Sequence, residues 1–373
     1  MIYDAIVAGL GAMGSATVFH LAGRGARVLG LDAFRPPHTR GSSHGRSRII
    51  RQAYFEHPQY VPLVQQAYRC WSALEAECGA ALFVRTGGLM IGAPEGAVAG
   101  GALRSAQEHG LRHEVLSSRE LRARYPAFRP REHETAVWEP DAGFLRPEAC
   151  IAAHLSLAEA RGATLRYDEP VQTWEPAAGG VTVTTSRATY RARRLVLAAG
   201  AWNPSLAQLA LPLSVERQVQ HWFSPARAPG QFDLSRFPVF IWEHQPGRVW
   251  YGIPSEDDGV KLALHHEGEI TTPDAVRRAI GADEVEPVRA LIRELLPDAD
   301  GPVRESIVCL YTNTPDDDFL IDSPPGIPEA IIASPCSGHG FKFSSAIGET
   351  IAATILDGGS PFDLTPFRLS RFH

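Results

Sequence analysis

Lysine is almost missing from this sequence. Of 373 residues, 36 are Lys or Arg, and only Lys261 and Lys342 are lysines. Lysine is normally one of the commonest residues. Its scarcity here indicates that arginine fills nearly every surface position that needs only a positive charge. The two lysines that remain are therefore candidates for positions where an ammonium group is needed for its own chemistry.

Cysteines are few, long apolar runs are missing, and the net charge is not positive. Each of these features excludes a class of protein. The five cysteines are odd in number and show no CxxC spacing, which excludes a disulfide scaffold or a zinc ribbon and favours a reducing compartment. No apolar run reaches the roughly 18 residues of a membrane-spanning helix. The net charge of −6 argues against nucleic acid or an anionic membrane as the main partner. The N-terminus has an early acid and no basic segment, so it predicts a strand from Met1 and not a signal peptide, and the protein is expected to be cytoplasmic.

The first 32 residues have the pattern of a βαβ unit that binds a dinucleotide. An apolar run over residues 2–8 precedes Gly9, Gly11 and Gly14, which match GxGxxG and open a helical stretch. In this motif the glycines permit a tight turn, close approach of a pyrophosphate and close helix–strand packing. Asp32, at the end of the second strand, has the spacing of an acid that binds a ribose hydroxyl. The motif alone leaves NAD and FAD open.

The rest of the chain alternates between α/β and β-rich stretches. Helical spacing of apolar residues predicts helices over residues 60–78, 147–161, 273–296 (interrupted at Gly281) and 344–356. Strands are predicted at residues 181–184, 189–191, 195–200 and 331–333, and in a strand-rich stretch over 216–266 with a hairpin at 245–247. A late strand that stops at a glycine, and an α/β pattern that a β-rich stretch interrupts, are typical of flavoproteins and favour FAD.

Several segments are similar to one known family. They are residues 41–51 (GSSHGRSRIIR), residues 251–254 (YGIP) with Lys261, residues 309–316 (CLYTNTPD), residues 337–343 (SGHGFKF) and the C-terminal residues 363–372. In these segments the chain resembles the monomeric sarcosine oxidase family, which includes N-methyltryptophan and pipecolate oxidases, and the resemblance runs essentially end to end. It implies an α/β (α+β) fold with two interleaved domains. A Rossmann-like FAD-binding domain would comprise residues 1–84, 146–212 and 313–373, and an antiparallel-sheet substrate domain residues 85–145 and 213–312.

Lys261 lies in a segment with strand alternation. Successive side chains of a strand point to opposite faces, so Lys261 and His265 share a face, with leucines on the other. A solvated edge strand would explain that polar face, but in a chain so rich in arginine a solvated cation would more often be Arg. The resemblance implies that Lys261 lies over the flavin, bridged by water to N5, and promotes the reaction with O₂. It further implies that His265 lies beside flavin and substrate and that Tyr251 lines the pocket.

Cys309 lies on the same strand face as Tyr311. A cysteine in a strand is ordinarily a small buried hydrophobic residue. The resemblance instead implies that Cys309 forms a thioether with the 8α carbon of the flavin and that Tyr311 contacts the substrate. Cys336 is the rival for this linkage, and we expect it only to pack beside the turn that follows it.

Lys342 follows a glycine-rich turn and precedes a predicted helix. A cation at a helix N-terminus is unfavourable unless an anion lies nearby. The resemblance supplies that anion as the substrate carboxylate, held jointly by Lys342 and by the two-pronged guanidinium of Arg51.

The remaining implied contacts surround the flavin. Arg48 and His44 match residues that lie against the flavin, although Ser43, Arg46 and Ser47 depart from the family's commoner HHGDTR. Arg46 is an added cation that could alter the substrate entrance. The implied cofactor contacts beyond the glycine motif are Ser42, Ser47, Arg48, Val171, Ala199, Gly200, Trp202, Cys309, Leu310, Gly338, Gly340 and Lys342.

Three other patterns are not interpreted as functional sites. The acidic residues 316–318 suggest a solvated turn, not a metal site. His265 and His266 cannot form a metal pair if adjacent strand residues point to opposite faces. Arg191, Arg193 and Arg194 fit a solvated strand edge, so no metal and no nucleic-acid partner is expected.

The sequence therefore predicts a cytoplasmic, monomeric FAD oxidase. Its partners would be O₂ and a small secondary amino acid, with sarcosine first and N-methyltryptophan, pipecolate or related compounds as alternatives. Products would be formaldehyde, the demethylated amino acid and H₂O₂. The rival interpretations are an NAD-dependent dehydrogenase and a binding protein that uses FAD only structurally.

Overall fold

The computed structural model describes residues 2–257 and 259–372, so Met1, at the start of the predicted first strand, lies outside the described residues. The strands in chain order are β1 Ile2–Ala8, β2 Val28–Leu31, β3 Arg48–Ile50, β4 Phe83–Arg85, β5 Gly88–Gly92, β6 Glu114–Ser117, β7 Thr135–Glu139, β8 Gly143–Leu145, β9 Thr164–Arg166, β10 Val171–Ala177, β11 Gly180–Thr185, β12 Thr189–Leu197, β13 Ser214–Phe223, β14 Val239–Gln245, β15 Arg248–Ile253, β16 Val260–His265, β17 Glu269–Thr271, β18 Val303–Asn313, β19 Leu320–Asp322 and β20 Ala330–Ser334.

The helices connect and cover these strands. The α-helices are α1 Ala12–Gly23, α2 Val61–Cys78, α3 Ala97–Glu108, α4 Ser118–Arg124, α5 Pro147–Ala160, α6 Asn203–Leu206, α7 Glu286–Leu295 and α8 Ser344–Asp357. Short 3₁₀ helices lie at Pro58–Tyr60, Gly200–Trp202, Pro229–Gln231, Ala282–Glu284, Pro297–Ala299, Phe341–Phe343, Thr365–Phe367 and Leu369–Phe372. No helix among the described residues is both long and apolar enough to cross a membrane.

The first sheet has a parallel centre. Strands β20, β12, β1, β2 and β9 lie parallel in that order, and β10, β11 and β19 add antiparallel pairs. The apolar run at residues 5–8 makes the second half of β1 buried, and α1, α5 and α8 pack together beside it in one hydrophobic core. Because parallel strands end at the same edge, the loops that follow Ala8, Leu31 and Leu197 meet there.

The second sheet is largely antiparallel. Its order is β17-β13-β16-β15-β14-β5-β7-β6, and β18 pairs antiparallel along β13. Alternate residues of β14 and β15 point to opposite faces, so Phe240, Trp242 and Trp250 enter an aromatic core beside α7. Ile241 and Tyr251, on the other face, line a cavity. A small third sheet, β3-β8-β4, lies beside the second one.

Most predicted elements are present. The helices predicted at residues 60–78, 147–161 and 344–356 correspond to α2, α5 and α8, and the hairpin joins β14 to β15. The strands predicted at 189–191 and 195–200 are one strand, β12. The mixed α/β fold class is confirmed. The domain boundaries stay a prediction.

The helix predicted over residues 273–296 is wrong in its first half. Residues 272–281 form no helix, and α7 begins only at Glu286. Arg278 explains the difference, because its guanidinium donates to the carbonyls of Thr39, Arg40 and Val308. These long-range bonds hold the segment in an irregular path that its local sequence pattern does not indicate.

Candidate active site

One cavity of about 610 Å³ runs from the edge of the first sheet to the second sheet. It is lined by these residues predicted from the sequence: Gly9, Gly11, Asp32, Ser42, Ser47, Arg48, Arg51, Val171, Ala199, Gly200, Trp202, Tyr251, His265, Cys309, Leu310, Tyr311, Gly338, Gly340 and Lys342. Gly14, His44 and Lys261 are buried beside the cavity without lining it. The fold therefore brings nearly every predicted site residue to one place.

The glycine motif forms the first end of the cavity. Gly9 has φ 94°, and a Cβ there would lie 2.5 Å from the carbonyl oxygen of Ala198. A Cβ on Gly14 would lie 1.7 Å from the carbonyl oxygen of Gly9, so α1 can pack this closely only with glycine. Helix α1 begins directly after Gly11. Its first N–H, that of Ala12, donates to Ser43 Oγ at 3.3 Å, and the N–H groups of this first turn point to where a pyrophosphate would bind.

Asp32 organises the loop beside this turn. Its Oδ2 accepts a hydrogen bond from the Leu10 N–H at 2.7 Å, and its Oδ1 accepts one from the Phe34 N–H at 2.9 Å. Burial raises the pKa of this carboxyl despite those two bonds. Each carboxylate oxygen can accept more than one hydrogen bond, so the group that shapes the loop can also accept from a ribose hydroxyl.

Lys261 is fixed by backbone carbonyls. The side chain is 1% exposed, and Nζ donates to the carbonyl oxygens of Gly45 at 2.8 Å and Ser47 at 2.9 Å. Nζ also lies 5.1 Å from the ring centroid of Trp222. Trp222 was not among the predicted residues, and its ring centroid also lies 4.9 Å from the guanidinium carbon of the exposed Arg46. Arg46 pairs with Glu305 and does not line the cavity.

His44 lies in the same cationic surroundings. Burial, together with the charges of Arg48 and Lys261, lowers the pKa of His44 to about 3. Its Nε2 is buried and has no hydrogen-bond partner among the described residues. His44 is neutral because its pKa is so low. A buried polar atom such as its Nε2 ordinarily has a partner, so this nitrogen is available to a bound group.

Cys309 presents its thiol to the cavity wall. The residue is 1% exposed, Arg48 Nη2 lies 3.3 Å from Sγ, and Sγ donates toward the Ser42 carbonyl oxygen at 3.5 Å. Cys336 also lines the cavity, but burial raises the pKa of its thiol to about 11. Of these two cysteines, Cys309 is therefore the one with a guanidinium at its sulfur.

Arg51 lies at the far end of the cavity and already holds a carboxylate. Its Nη2 donates to Glu56 Oε1 at 2.7 Å and Oε2 at 2.6 Å, and its Nη1 donates to the Ala53 carbonyl oxygen at 3.0 Å. The guanidinium carbon lies 4.3 Å from the Tyr54 ring centroid and 4.2 Å from that of Phe55. Glu56 was not predicted, although an acid five residues after Arg51 on a short loop could have indicated an ion pair.

The charged groups around Arg51 shift one another's pKa. Burial alone would raise the pKa of Glu56, but Arg51, His339 and Lys342 hold it below its usual value. Burial and the charge of Arg51 lower the pKa of Lys342 to about 7, and its Nζ donates to the His339 carbonyl oxygen at 2.7 Å. This end of the cavity thus offers a carboxylate two basic side chains, Arg51 and Lys342.

His265 and Tyr311 form an aromatic wall opposite these cations. His265 Nδ1 lies 3.1 Å from the Tyr311 hydroxyl, and burial, followed by the charges of His266 and other nearby cations, lowers the pKa of His265 well below its ordinary value. The prediction that His265 and His266 point to opposite faces is wrong. His266 has φ 56° just beyond the end of β16, and both rings contact Tyr311. The two rings are 4.2 Å apart between centroids.

The acidic residues 316–318 and the arginines at 191, 193 and 194 do not line the cavity. Among the described residues, no group of three or more His, Cys, Asp or Glu side chains could hold a metal ion. Asp316 pairs with Arg371 at 2.8 Å, and Asp318 accepts from the Tyr60 hydroxyl at 2.5 Å. Arg193 is an exposed partner of Asp4.

The chain is similar to known proteins over nearly its whole length. Residues 4–354 match the model of the family DAO, FAD dependent oxidoreductase. The monomeric sarcosine oxidase of Streptomyces avermitilis is 44% identical over 361 residues, which cover 95% of this chain and 94% of that protein. The N-methyl-L-tryptophan oxidase of Salmonella arizonae is 37% identical over 375 residues, all of both chains. Among solved structures, NikD, an unusual amino acid oxidase essential for nikkomycin biosynthesis, has a TM-score of 0.85 at 25% identity and covers 98% of this chain and 97% of its own.

Proposed function

The chain belongs to the DAO family of FAD-dependent oxidoreductases and is a flavin amine oxidase, and from this premise we propose that it oxidises the N-methyl group of sarcosine. The overall reaction is sarcosine + O₂ + H₂O → glycine + formaldehyde + H₂O₂. Bound FAD would supply the acceptor for the two electrons that leave the substrate and pass to O₂. Membership of this family excludes the NAD-dependent dehydrogenase.

The observation that carries this proposal is the carboxylate already bound to Arg51. Both oxygens of Glu56 accept from Nη2 of a buried guanidinium that lines the cavity, with Lys342 nearby. A substrate carboxylate would make the same two charge-assisted bonds once Glu56 moves away. Arg51 would bind and orient the substrate, and Lys342 would add a point charge on the other side.

The opposite wall supports a small amine. Tyr251, His265 and Tyr311 line the cavity beside the aliphatic side chains of Ile241 and Val249. The two tyrosines and a neutral histidine add no positive charge, so they do not oppose the ammonium group of an amino acid. With the carboxylate fixed at Arg51, this wall would exclude water from the N-methyl group and hold it in one orientation.

The other end of the cavity supports the cofactor. The turn at Gly9 and Gly11 and the start of α1 would hold the pyrophosphate, and Asp32 would accept from the ribose. The cavity-facing thiol of Cys309 would lie against the bound ring system, and the partnerless Nε2 of His44 is buried just behind this part of the lining. We propose Cys309 as the covalent attachment point and Cys336 as a packing residue.

Lys261 would act on O₂. Its ammonium is held by two carbonyl oxygens, which fix its position without neutralising its charge. A fixed positive charge next to the site where O₂ is reduced stabilises the negative charge that develops there. His44 and Arg48 would shape the same region. We further propose that the enzyme is a cytoplasmic monomer.

Anaerobic reduction of the flavin by a panel of amino acids tests this function. The panel is sarcosine, N-methyl-L-tryptophan, pipecolate, proline and glycine, each mixed with the purified enzyme without O₂. Sarcosine should bleach the flavin absorbance fastest, and under air it should release equal amounts of formaldehyde and H₂O₂. If another secondary amino acid is much faster, the substrate assignment is wrong, and if none reduces the flavin, the substrate class is wrong.

A further inference from the structure

We propose that His266, held as an imidazolium by Glu216, is a positioning residue that keeps His265 neutral and bonded to Tyr311 at the substrate end of the cavity. The effect on the substrate rests on the proposed function. The contacts that link Glu216, His266, His265 and Tyr311 do not depend on which substrate binds. His266 does not line the cavity, so it would act only through His265 and Tyr311.

A β-bulge places His266 in this position. Strands β16 and β17 pair with different halves of β13. Residues 266–268 lie between the two strands, belong to neither and form the bulge opposite β13. His266 has φ 56°, and a Cβ on Gly268 would lie 1.7 Å from the Arg217 carbonyl oxygen, so the bulge needs a glycine there. Bulges of this kind redirect a side chain next to a functional site. Here the bulge turns His266 to the same side as His265.

Glu216 fixes the bulge from the neighbouring strand. Its side chain is 4% exposed, and its two oxygens accept from four donors: the Gly268 N–H at 2.7 Å, Gln218 Nε2 at 2.6 Å, Asn313 Nδ2 at 2.7 Å and His266 Nδ1 at 3.2 Å. Four donors saturate a carboxylate and favour its ionised form. A buried carboxylate needs a counter-charge, and His266 is the ionisable donor among the four.

The charged groups around the two histidines influence whether each imidazole carries a proton. His266 meets Glu216 from β13 and the charge of Asp317, and its pKa is raised although burial alone would lower it. His265 meets the charges of His266, His339, Lys342 and Arg51, all of which can be positive. It also contacts the Tyr311 hydroxyl and the ring of Tyr251.

The functional consequence concerns the substrate ammonium. Arg51 and Lys342 already place two cations in this part of the cavity for the carboxylate. A third cation at His265 would repel the amine that has to lie beside it. His266 is farther from the cavity and its charge is balanced by Glu216, so it disfavours a proton on His265 at little cost to the substrate.

The experiment measures the titration of both histidines in the FAD-loaded enzyme by ¹⁵N-histidine NMR. In the unchanged enzyme His266 should titrate above its ordinary value, and His265 should stay neutral down to acid pH. H266Q should raise the titration midpoint of His265 by about half a unit to one unit, and E216Q should lower the midpoint of His266. H266K, which restores a cation, should return the His265 midpoint toward that of the unchanged enzyme.

A kinetic measurement and a control complete the test. The pH below which the substrate reduces the flavin more slowly should rise in H266Q and return in H266K, whereas H133Q, at an exposed loop histidine, should change neither quantity. An unchanged His265 midpoint in H266Q, or an H266K enzyme that behaves like H266Q, overturns the proposal, because a purely structural role moves stability and not titration. If no secondary amino acid reduces the enzyme, the proposed function fails, and the NMR midpoints still decide this inference.

Discussion

Glu56 lies on Arg51 inside the cavity, with both carboxylate oxygens 2.6 and 2.7 Å from Nη2. This internal ion pair occupies the site that we assign to the substrate carboxylate. On this assignment, substrate binding would exchange one carboxylate for another, and the cost of breaking the pair would reduce the affinity for the substrate.

The first prediction is that Glu56→Gln tightens the binding of carboxylate ligands. The amide of Gln forms a weaker bond to the guanidinium than the carboxylate does, so the substrate displaces it at a lower cost. We expect the dissociation constant of a substrate analogue to fall by about 3- to 10-fold, in line with the difference between charged and neutral hydrogen bonds. Titration of the flavin absorbance spectrum measures it.

A matched control separates this effect from a general change of charge. Glu95→Gln removes an exposed acid elsewhere on the chain and should leave the dissociation constant unchanged. Weaker binding in Glu56→Gln would contradict the exchange, because it would mean that Glu56 orients Arg51 for the substrate instead of competing with it.

The second prediction concerns the covalent linkage. In Cys309→Ala the flavin should bind without a covalent bond, whereas Cys336→Ala, the matched control, should keep it. The reason is that only the Cys309 sulfur lies against the Arg48 guanidinium, 3.3 Å away. Acid precipitation measures the result, since covalent flavin stays in the pellet and free flavin enters the supernatant. Colour retained in the Cys309→Ala pellet would exclude this attachment point.

Local signals made much of the cofactor site predictable from the sequence. Gly9, Gly14 and Asp32 act within one βαβ unit, and each needs only its neighbours along the chain to be recognised. Their geometry agrees with the motif, because a side chain at either glycine would collide with backbone. The resemblance supplied the rest of the cavity-lining residues, which come from distant segments.

Features that depend on long-range contacts were not predictable. His266 lies beside His265 only because Glu216, fifty residues earlier in the chain, holds the bulge at Gly268. The irregular path of residues 272–281 likewise depends on bonds from Arg278 to loops more than two hundred residues away and to β18. Strand and helix periods describe regular elements, so they cannot indicate where such contacts interrupt them.

The third prediction separates the two halves of the catalytic cycle. Lys261→Met should slow reoxidation of the reduced flavin by O₂ by about 10²-fold or more, as expected for loss of a preorganised charge. Reduction by the substrate should change far less, because the carboxylate and amine contacts lie elsewhere in the cavity. Stopped-flow measurements of the two half-reactions give the comparison.

The variant Lys261→Arg is the control for the third prediction. A guanidinium keeps the positive charge, so it should restore part of the rate with O₂, although it cannot match the two carbonyl bonds of the compact ammonium. Equal losses in both half-reactions of Lys261→Met would argue that the lysine only supports the fold around Gly45 and Ser47.

The fourth prediction concerns stability in acid. His154 is 1% exposed, and its ring packs at a tilt against those of Trp71 and Phe19. Burial, followed by the charge of His20, lowers its pKa well below the ordinary 6.5. In the unfolded chain the imidazole takes up a proton near pH 6.5, whereas in the folded protein it stays neutral. The stability is therefore fully present above that pH and falls as the pH drops below it, by up to about 1.4 kcal/mol per pH unit for one such group.

His154→Phe tests this prediction, because it keeps an aromatic ring between Trp71 and Phe19 and removes the titrating nitrogens. Urea unfolding at a series of pH values should give a free energy of unfolding that falls less steeply below pH 6.5 than in the unchanged protein. The exposed His133→Gln serves as the control and should keep the original slope. An identical slope in His154→Phe would assign the acid sensitivity to other buried groups, of which His20, with a pKa lowered to about 4 mainly by burial, is next in the same helical layer.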